Sequence, residues 1–430
     1  MTFAHTEKLN GWIKFGVWSS RVLIGLVFIL SGFVKAIDLW GFVFKIDEYL
    51  TIWEFNVSRS LVFSAALLIS SFEFIAGLML LVGNYRKAIP ILMLLMMAFM
   101  LPLTGYIWFK DPVADCGCFG DFLIVSNGIT FLKNILITGI LVFLVIYNKK
   151  VSGLYGPYIQ WLTLLLSVFY IIIIGISGYN IQPLLDFRSF PVGSRLLADS
   201  DLDNEEVDID FIYEKDGQKK TFSSDDLPDS TWTFVERIDN PKNTIDRTEF
   251  FILEDGDNIT EEVIDTARNQ LLVIIPEYDK ADASYTYLIN EMNSYISEHG
   301  GSTVALIGGN SDDVEEWLDL SMADYPVYLA EPTLLKELSR GIVSMVYLDH
   351  GTIGWKRTAS SIDPALFEAP ARDNLIADLG FDGQYYLMIL SLFLGGLFAV
   401  IFILDKTGRL IKWRAKLKKH PLLNQDSSSE

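Results

Sequence analysis

Two cysteines in 430 residues exclude the disulfide framework that staples many small secreted folds, so any water-soluble part must hold on its apolar core alone. Histidine is nearly as scarce, with four copies. His5, His299, His350 and His420 all stand far along the chain from either sulfur. Two thiols without imidazole leave a tetrahedral zinc half-satisfied, so no metal is expected. The chain has no phosphate-binding glycine loop, no Gly-x-Ser-x-Gly and no His-Glu-x-x-His, and Gly308-Gly309-Asn310 reads as a turn before a helix. No internal repeat is visible, and no low-complexity stretch before the Ser-rich end.

Apolar sequence is what the chain has in quantity. Hydrophobic residues make up 51% and the mean hydropathy is +0.32, yet the formal net charge is −20. That combination fits a membrane protein carrying a separate acidic, water-soluble part. Residues 180–383 hold 42 Asp and Glu against 15 Lys and Arg, leaving 12 acids and 19 bases elsewhere. So acidic a region excludes nucleic acid as a partner and is repelled by anionic lipid heads.

Six apolar runs, at 15–36, 61–82, 88–109, 129–147, 158–178 and 385–404, each hold about 20 residues, enough to span a bilayer. The lipid bilayer is therefore the first partner. Pro90 and Pro102 fall in the third run, where neighbouring helices can re-satisfy freed carbonyls. If every run spans, Lys8, Lys14, Arg86, Lys87, Lys149, Lys150 and the basic tail from Lys406 to Lys419 share one side. The intervening loops lean acidic, with Asp38, Asp47, Glu48 and Glu54 in one and Asp111, Asp115 and Asp121 in another. The positive-inside rule then makes both termini cytoplasmic and residues 180–383 extracytoplasmic.

Within that outer region, alternating side chains about Asp216-Gly217 predict a hairpin over 211–222. Strands are expected at 271–276, 303–307 and 327–329, helices at 282–299, 312–322 and 333–340, and a final hairpin at 343–348 and 352–357. Such alternation predicts an α/β layer fold with a mixed sheet. The expected division is a four-helix membrane domain at 1–150, a fifth span at 151–180, a β-rich part at 181–268, the α/β domain at 269–383, and a sixth span with a basic tail at 384–430.

Both cysteines lie in Asp115-Cys116-Gly117-Cys118-Phe119-Gly120-Asp121, between the third and fourth runs and so at the outer membrane surface. They are the candidate redox pair; the plain alternative is a glycine-rich turn with idle thiols. Asp115 and Asp121 oppose a thiolate there, and Lys35, ending the first run on the same side, would favour one unless it only reaches for the interface. A disulfide between residues this close would be strained and comparatively oxidising. Glu73 lies mid-span, where an unpaired carboxylate costs at least ~2.5 kcal/mol. Measured from the cytoplasmic side, Arg21 and Glu73 lie about 9 and 14 Å deep at 1.5 Å per residue, so the two are expected to pair. The pair would be either a proton or ligand site or a device fixing helix register. Gly77 and Gly83 after Glu73 point to close helix packing.

The run Arg21-x3-Gly25-x2-Phe28-x2-Ser31-Gly32-x2-Lys35, the Glu73-x3-Gly77 pair and the hairpin of spans resemble the DoxX-like family. The Cys-Gly-Cys-Phe-Gly-Asp loop before the fourth span is similar to that of the related methylamine-utilisation, MauE-like, membrane proteins. Together these cover 15 to about 147. A fifth span followed by Asp186-Phe187-Arg188 and an acidic domain resembles a longer DoxX-type protein of Bacteroidetes envelopes. The resemblance implies a four-helix core, a bacterial inner-membrane location with a periplasmic domain, and thiol redox or quinone-linked work, quinone being the one cofactor it brings in. More weakly, the α/β part resembles a thioredoxin fold that lacks its Cys-x-x-Cys. After the strand ending at Pro276 this chain reads Glu277-Tyr278-Asp279-Lys280, and Val343 stands where that family carries a cis-proline. Such a domain would bind rather than exchange thiols. Two functions follow: a redox protein working through Cys116, Cys118, Lys35 and Asp121 with a periplasmic or membrane protein partner, or a non-enzymatic envelope subunit whose outer domain docks to a larger assembly.

Overall fold

The computed structural model describes residues 11–113, 116–197, 209–215, 218–223, 233–239, 250–254, 257–368 and 375–419. Contacts divide it into two units. One comprises Met1–Arg188, Ser360–Ile362 and Gly380–Glu430, and the other Ser189–Ala359 and Asp363–Leu379.

The first unit is helical. It opens with α1 (Gly11–Ile37), α2 (Leu39–Ile52), α3 (Arg59–Val82), α4 (Ala88–Lys110), α5 (Asn127–Tyr147) and α6 (Gln160–Asn180). All but α2 are long and apolar enough to cross a membrane, and a sixth such helix ends the chain. Helix α1 crosses α3 with almost no space between backbones. A Cβ on Gly32 would meet Phe74 N at 2.3 Å, and one on Gly77 would meet Ile29 N at 2.6 Å. Small residues here let the helices approach as membrane helices must when lipid supplies no hydrophobic drive. Gly83 ends α3 in the left-handed conformation, φ +71°, which glycine adopts without penalty. Val17, Ile24, Phe28, Met79, Leu80, Met93, Met97, Ile137, Leu141 and Leu144 join α1, α3, α4 and α5 in one core.

Helix α2 differs from expectation, which treated this stretch as a loop. Asp38 caps it, accepting a hydrogen bond from Gly41 N at 2.9 Å, and Leu39, Trp40 and Val43 are buried. Lys45, Asp47 and Glu48 break the apolar pattern, and its 14 residues are too few to span. Neither feature forbids a short helix with one buried face.

The second unit carries a five-stranded sheet in the spatial order 352–358, 344–349, 270–275, 302–307 and 327–329. Three antiparallel strands precede it in the chain: β1 (Ile209–Lys215), β2 (Gln218–Ser223) and β3 (Thr233–Asp239). Strands β1 and β2 pair from Asp210↔Ser223 to Lys215↔Gln218, the register of the expected hairpin; its turn at Asp216-Gly217 lies outside the described residues. After the two-residue strands β4 (Leu253–Glu254) and β5 (Asp257–Asn258) comes the single turn α7 (Thr260–Val263). The sheet proper is β6 (Gln270–Ile275), α8 (Thr286–Glu298), β7 (Ser302–Ile307), α9 (Ser311–Ser321), β8 (Val327–Leu329), α10 (Pro332–Leu338), β9 (Ser344–Asp349) and β10 (Thr352–Thr358). Strands β6, β7 and β8 are parallel, while β9 runs antiparallel to both β6 and β10. The central β6 is buried at all six positions, which explains its unbroken apolar run. Asn310 and Asp313 form a reciprocal capping box at the start of α9, the structural reason why Gly308-Gly309-Asn310 is a helix entry. A last turn, α11 (Ala365–Glu368), precedes α12 (Gly383–Lys419), with which the chain returns to the first unit.

Candidate functional site

Helix α4 stops at Asp111 in the left-handed conformation, φ +48°, and the chain turns back to α5 through the cysteine loop. Gly117 and Gly120 have φ of +67° and +52°, values at which a side chain would be strained. At Gly117 a Cβ would also meet Lys45 Cγ at 2.7 Å. The glycines thus hold the turn that brings Cys116 Sγ within 3.0 Å of Cys118 Sγ. A covalent bond would need a further approach of roughly 1 Å. Cys116 is buried with Ile107 and Val113, and its carbonyl accepts from Tyr49 Oη at 3.2 Å. Cys118 is half-buried. Asp121 is exposed in the short turn Gly120–Phe122, and Asp115 lies outside the described residues.

Beneath the loop is a buried polar cluster. Lys35 Nζ contacts both oxygens of Glu73, at 2.8 and 2.7 Å, with the two residues 2% and 4% exposed. Ser31 Oγ lies 2.8 Å from Glu73 Oε2 and 2.8 Å from the Cys118 carbonyl, and accepts from Lys35 Nζ at 3.2 Å. Its single proton serves one of those two acceptors at a time. The cluster borders a cavity of about 40 Å³ whose walls include Ser31, Lys35, Glu73, Cys118, Lys133 and Asn134, with Met96, Met97 and Met100 of α4 opposite. Polar groups and that volume suit two or three waters. Lys133 Nζ rests over the Phe119 ring, 4.4 Å from its centroid.

The two sulfurs share a proton unequally. The hydrogen bond from the Cys116 thiol lowers the Cys118 pKa to about 7. Burial opposes that shift and nearby Lys133 and Lys35 add to it, while the Glu73 charge works against it. Cys116 is pushed up, first by donating to Cys118, then by burial and by repulsion from the charge on Cys118. The arrangement favours a thiol at Cys116 donating to a thiolate at Cys118.

Arg21 does not meet Glu73. Its guanidinium is buried against the turn after α5, donating to Asn148 Oδ1 at 2.5 Å and to the carbonyls of Asn148, Val151 and Ser152 at 2.8 to 3.0 Å. The expected pairing fails on register. Glu73 sits opposite Ser31, ten residues beyond Arg21 and hence about 15 Å along α1. Helix-end carbonyls replace the carboxylate as partner. The structure thus brings together Cys116, Cys118, Lys35 and Glu73, and sets Arg21 apart. The sequence reading missed Lys133 and Asn134, and gave Ser31 no role at the site. Lys133 had a signal, since it is a lone base one turn inside an otherwise apolar run, on the cysteine side. Ser31 stood only within the run that resembles the DoxX-like family, one turn before Lys35. Among the described residues no group of His, Cys, Asp and Glu is arranged to hold a metal ion.

A cysteine loop closing a four-helix bundle over a buried lysine–glutamate pair is the arrangement on which the comparisons bear. Residues 13–147 match the family of methylamine utilisation protein MauE. The match covers α1 to α5 and the whole cluster. A domain of unknown function, DUF8463, matches residues 207–242, the segment of β1 to β3. Protein TlpB of Flavobacterium psychrophilum is 22% identical over 320 residues, spanning 73% of this chain and 82% of that protein. No solved structure matches.

Proposed function

We propose that the chain is a multi-pass inner-membrane redox protein in which Cys116 and Cys118 cycle between dithiol and disulfide. The 3.0 Å approach of the sulfurs, with Cys118 favoured as thiolate, carries this reading. Attack of the Cys118 thiolate on a partner's disulfide forms a mixed disulfide and releases one partner thiolate. The Cys116 thiol then loses its proton and attacks Cys118 Sγ, closing the pair and freeing the second partner sulfur; two electrons have passed to the partner. Cys118 is the entry point because Cys116 is the more buried and holds its proton. Run backward, the same steps oxidise a partner's dithiol, and a quinone is the membrane-soluble acceptor that would restore the disulfide. A quinone ring does not fit a 40 Å³ cavity, so that space is read as water rather than as a cofactor site.

Helices α1, α3, α4 and α5 are assigned a DoxX-like four-helix core and α6 a fifth span, and residues 180–383 a periplasmic location. The unit with β6 to β10 is assigned a degenerate thioredoxin-like role. Its parallel β7-β6 pair beside the antiparallel β9-β10 hairpin supports that assignment. Where an exchange pair would stand after β6, Glu277 pairs instead with Lys280 at 2.5 Å and Lys336 at 2.6 Å. The unit is therefore read as a docking module for a membrane or periplasmic protein partner.

Acid quenching of membranes followed by alkylation and mass spectrometry tests the exchange. The Cys116–Cys118 disulfide is expected to open with dithiothreitol and reform with oxidised glutathione. A pair that stays reduced under both conditions would leave the non-enzymatic docking subunit as the function.

A further inference from the structure

The redox reading leaves open which way the electrons run, and the buried charges around Cys118 bear on it. Three charged side chains share the cavity wall with Cys118: Lys35 from α1, Glu73 from α3 and Lys133 from α5. Helix α4 contributes only Met96, Met97 and Met100, none of which titrates. Helix α2 lies on the other side of the loop, with Tyr49 on the Cys116 carbonyl and Lys45 against Gly117. On the far side of Lys35, a second cavity of about 20 Å³ is bordered by Asp38, Asp121, Asp186 and Arg188. Asp186 is tied to Arg188 at 2.7 Å. Asp115 lies outside the described residues. Glu73 is held by Lys35 through both oxygens. Among the described residues no carboxylate pairs with Lys133, whose contact is the Phe119 ring. Two formal positive charges and one negative therefore face a half-open cavity in which Lys35 and Glu73 are buried and Lys133 is half-buried. One more anion makes the set neutral, and a Cys118 thiolate is that anion.

We infer that this cavity is built to favour the reduced pair, so that the Cys116–Cys118 disulfide is an oxidant that takes electrons from a partner's dithiol. The inference rests on the redox reading above and gives it a direction. Forming the disulfide removes the thiolate and leaves an uncompensated positive charge beside largely buried side chains, where water offsets it only in part. A couple whose reduced form is stabilised in this way is an oxidising one. The exchange balances: the partner's two thiols become a disulfide, its two electrons go to the Cys116–Cys118 bond as it breaks, one proton stays on Cys116, and the other goes to solvent. The substrate class is thus a paired thiol, on a protein or a small molecule, at the outer membrane surface.

The test is the equilibrium of the full-length protein with reduced and oxidised glutathione, read by alkylation and mass spectrometry at about pH 9, well above the Cys118 value, so that a change in that value is read in full. Lys133→Met is expected to lower the equilibrium constant for reduction of the pair about tenfold, the change that one unit in a thiol pKa represents. Lys133→Arg is expected to restore it. Glu73→Gln should move the constant the opposite way, which loss of packing alone would not do. Because Glu73→Gln breaks a buried pair that supports the fold, the Lys133 variants carry the decision. A constant unchanged or raised in Lys133→Met would overturn the direction while leaving the redox pair in place. Failure of the parent protein to form the disulfide at any glutathione ratio would remove the redox reading itself, and the direction with it.

Discussion

In the proposed exchange, Cys118 and Lys133 are the residues on which the chemistry turns. With the Cys118 pKa lowered to about 7, its alkylation rate should rise with pH to half its plateau near neutrality, below the ~8.5 of a free cysteine. A cation favours the charged form, so Lys133→Met should move that midpoint upward, and iodoacetamide kinetics from pH 5 to 10 would check both. Lys35 and Glu73 form the other residue-scale unit. Removing one partner of a buried pair strands a charge and costs about 3–5 kcal/mol. Lys35→Met and Glu73→Gln should each lower the unfolding temperature in detergent, and the double change should cost clearly less than their sum. Arg21→Gln combined with Glu73→Gln should be additive, since the two side chains share no partner. Coupling between Arg21 and Glu73 would contradict the register described.

At the scale of elements, the close crossing of α1 and α3 holds the polar cluster under the cysteine loop. Gly32→Ala places a methyl group against the Phe74 backbone and should cost about 1–3 kcal/mol. It should also expose the Cys118 thiol to faster alkylation, as the Ser31 contact is pulled from the loop. In the α/β unit, burial raises the Glu277 pKa but the hydrogen bonds from Lys280 and Lys336 outweigh it, leaving it lowered. Its stabilising effect is present above the ordinary carboxylate range and is lost as pH falls through the lowered value. Lys336→Met should accordingly cost about 0.5–1 kcal/mol at pH 7, and nothing once the medium is acid enough to protonate Glu277. Elements of this kind were legible where periodicity was strong. The six spans, the hairpin register of β1 and β2 and the alternation from β6 to β10 all follow from runs of apolar residues and their turns. Helix α2 was not legible, because charges on its exposed face mask a buried stripe only a few residues long. The cysteine loop was found because it holds the only thiols. Lys35 was found with it, as the base that ends the first span on the same side, but Glu73 and Lys133 were not, since depth along two antiparallel helices fixes partners only once their crossing is known, and the glycines set that crossing.

The whole molecule is read as two units, helical and α/β, with the thiol site in the first. In the proposed topology six spans put both chain ends on the cytoplasmic side and residues 180–383 on the other. With Cys116 and Cys118 replaced by serine, a single cysteine introduced as Asp319→Cys should react with an impermeant maleimide in intact spheroplasts. One introduced as Lys412→Cys should react only after lysis. Labelling of Lys412→Cys alone would reverse the topology and put the thiol site on the reducing side, where a disulfide pair would not persist. The central claim is that Cys118 is the exchanging sulfur of a redox pair. Its most direct test is trapping of mixed disulfides in growing cells with Cys116→Ser and Cys118→Ser, resolved on non-reducing gels. Cys116→Ser should accumulate a reductant-sensitive adduct through Cys118 and Cys118→Ser little or none, whereas no adduct in either variant, with the double serine protein supporting growth like the parent, would contradict the account.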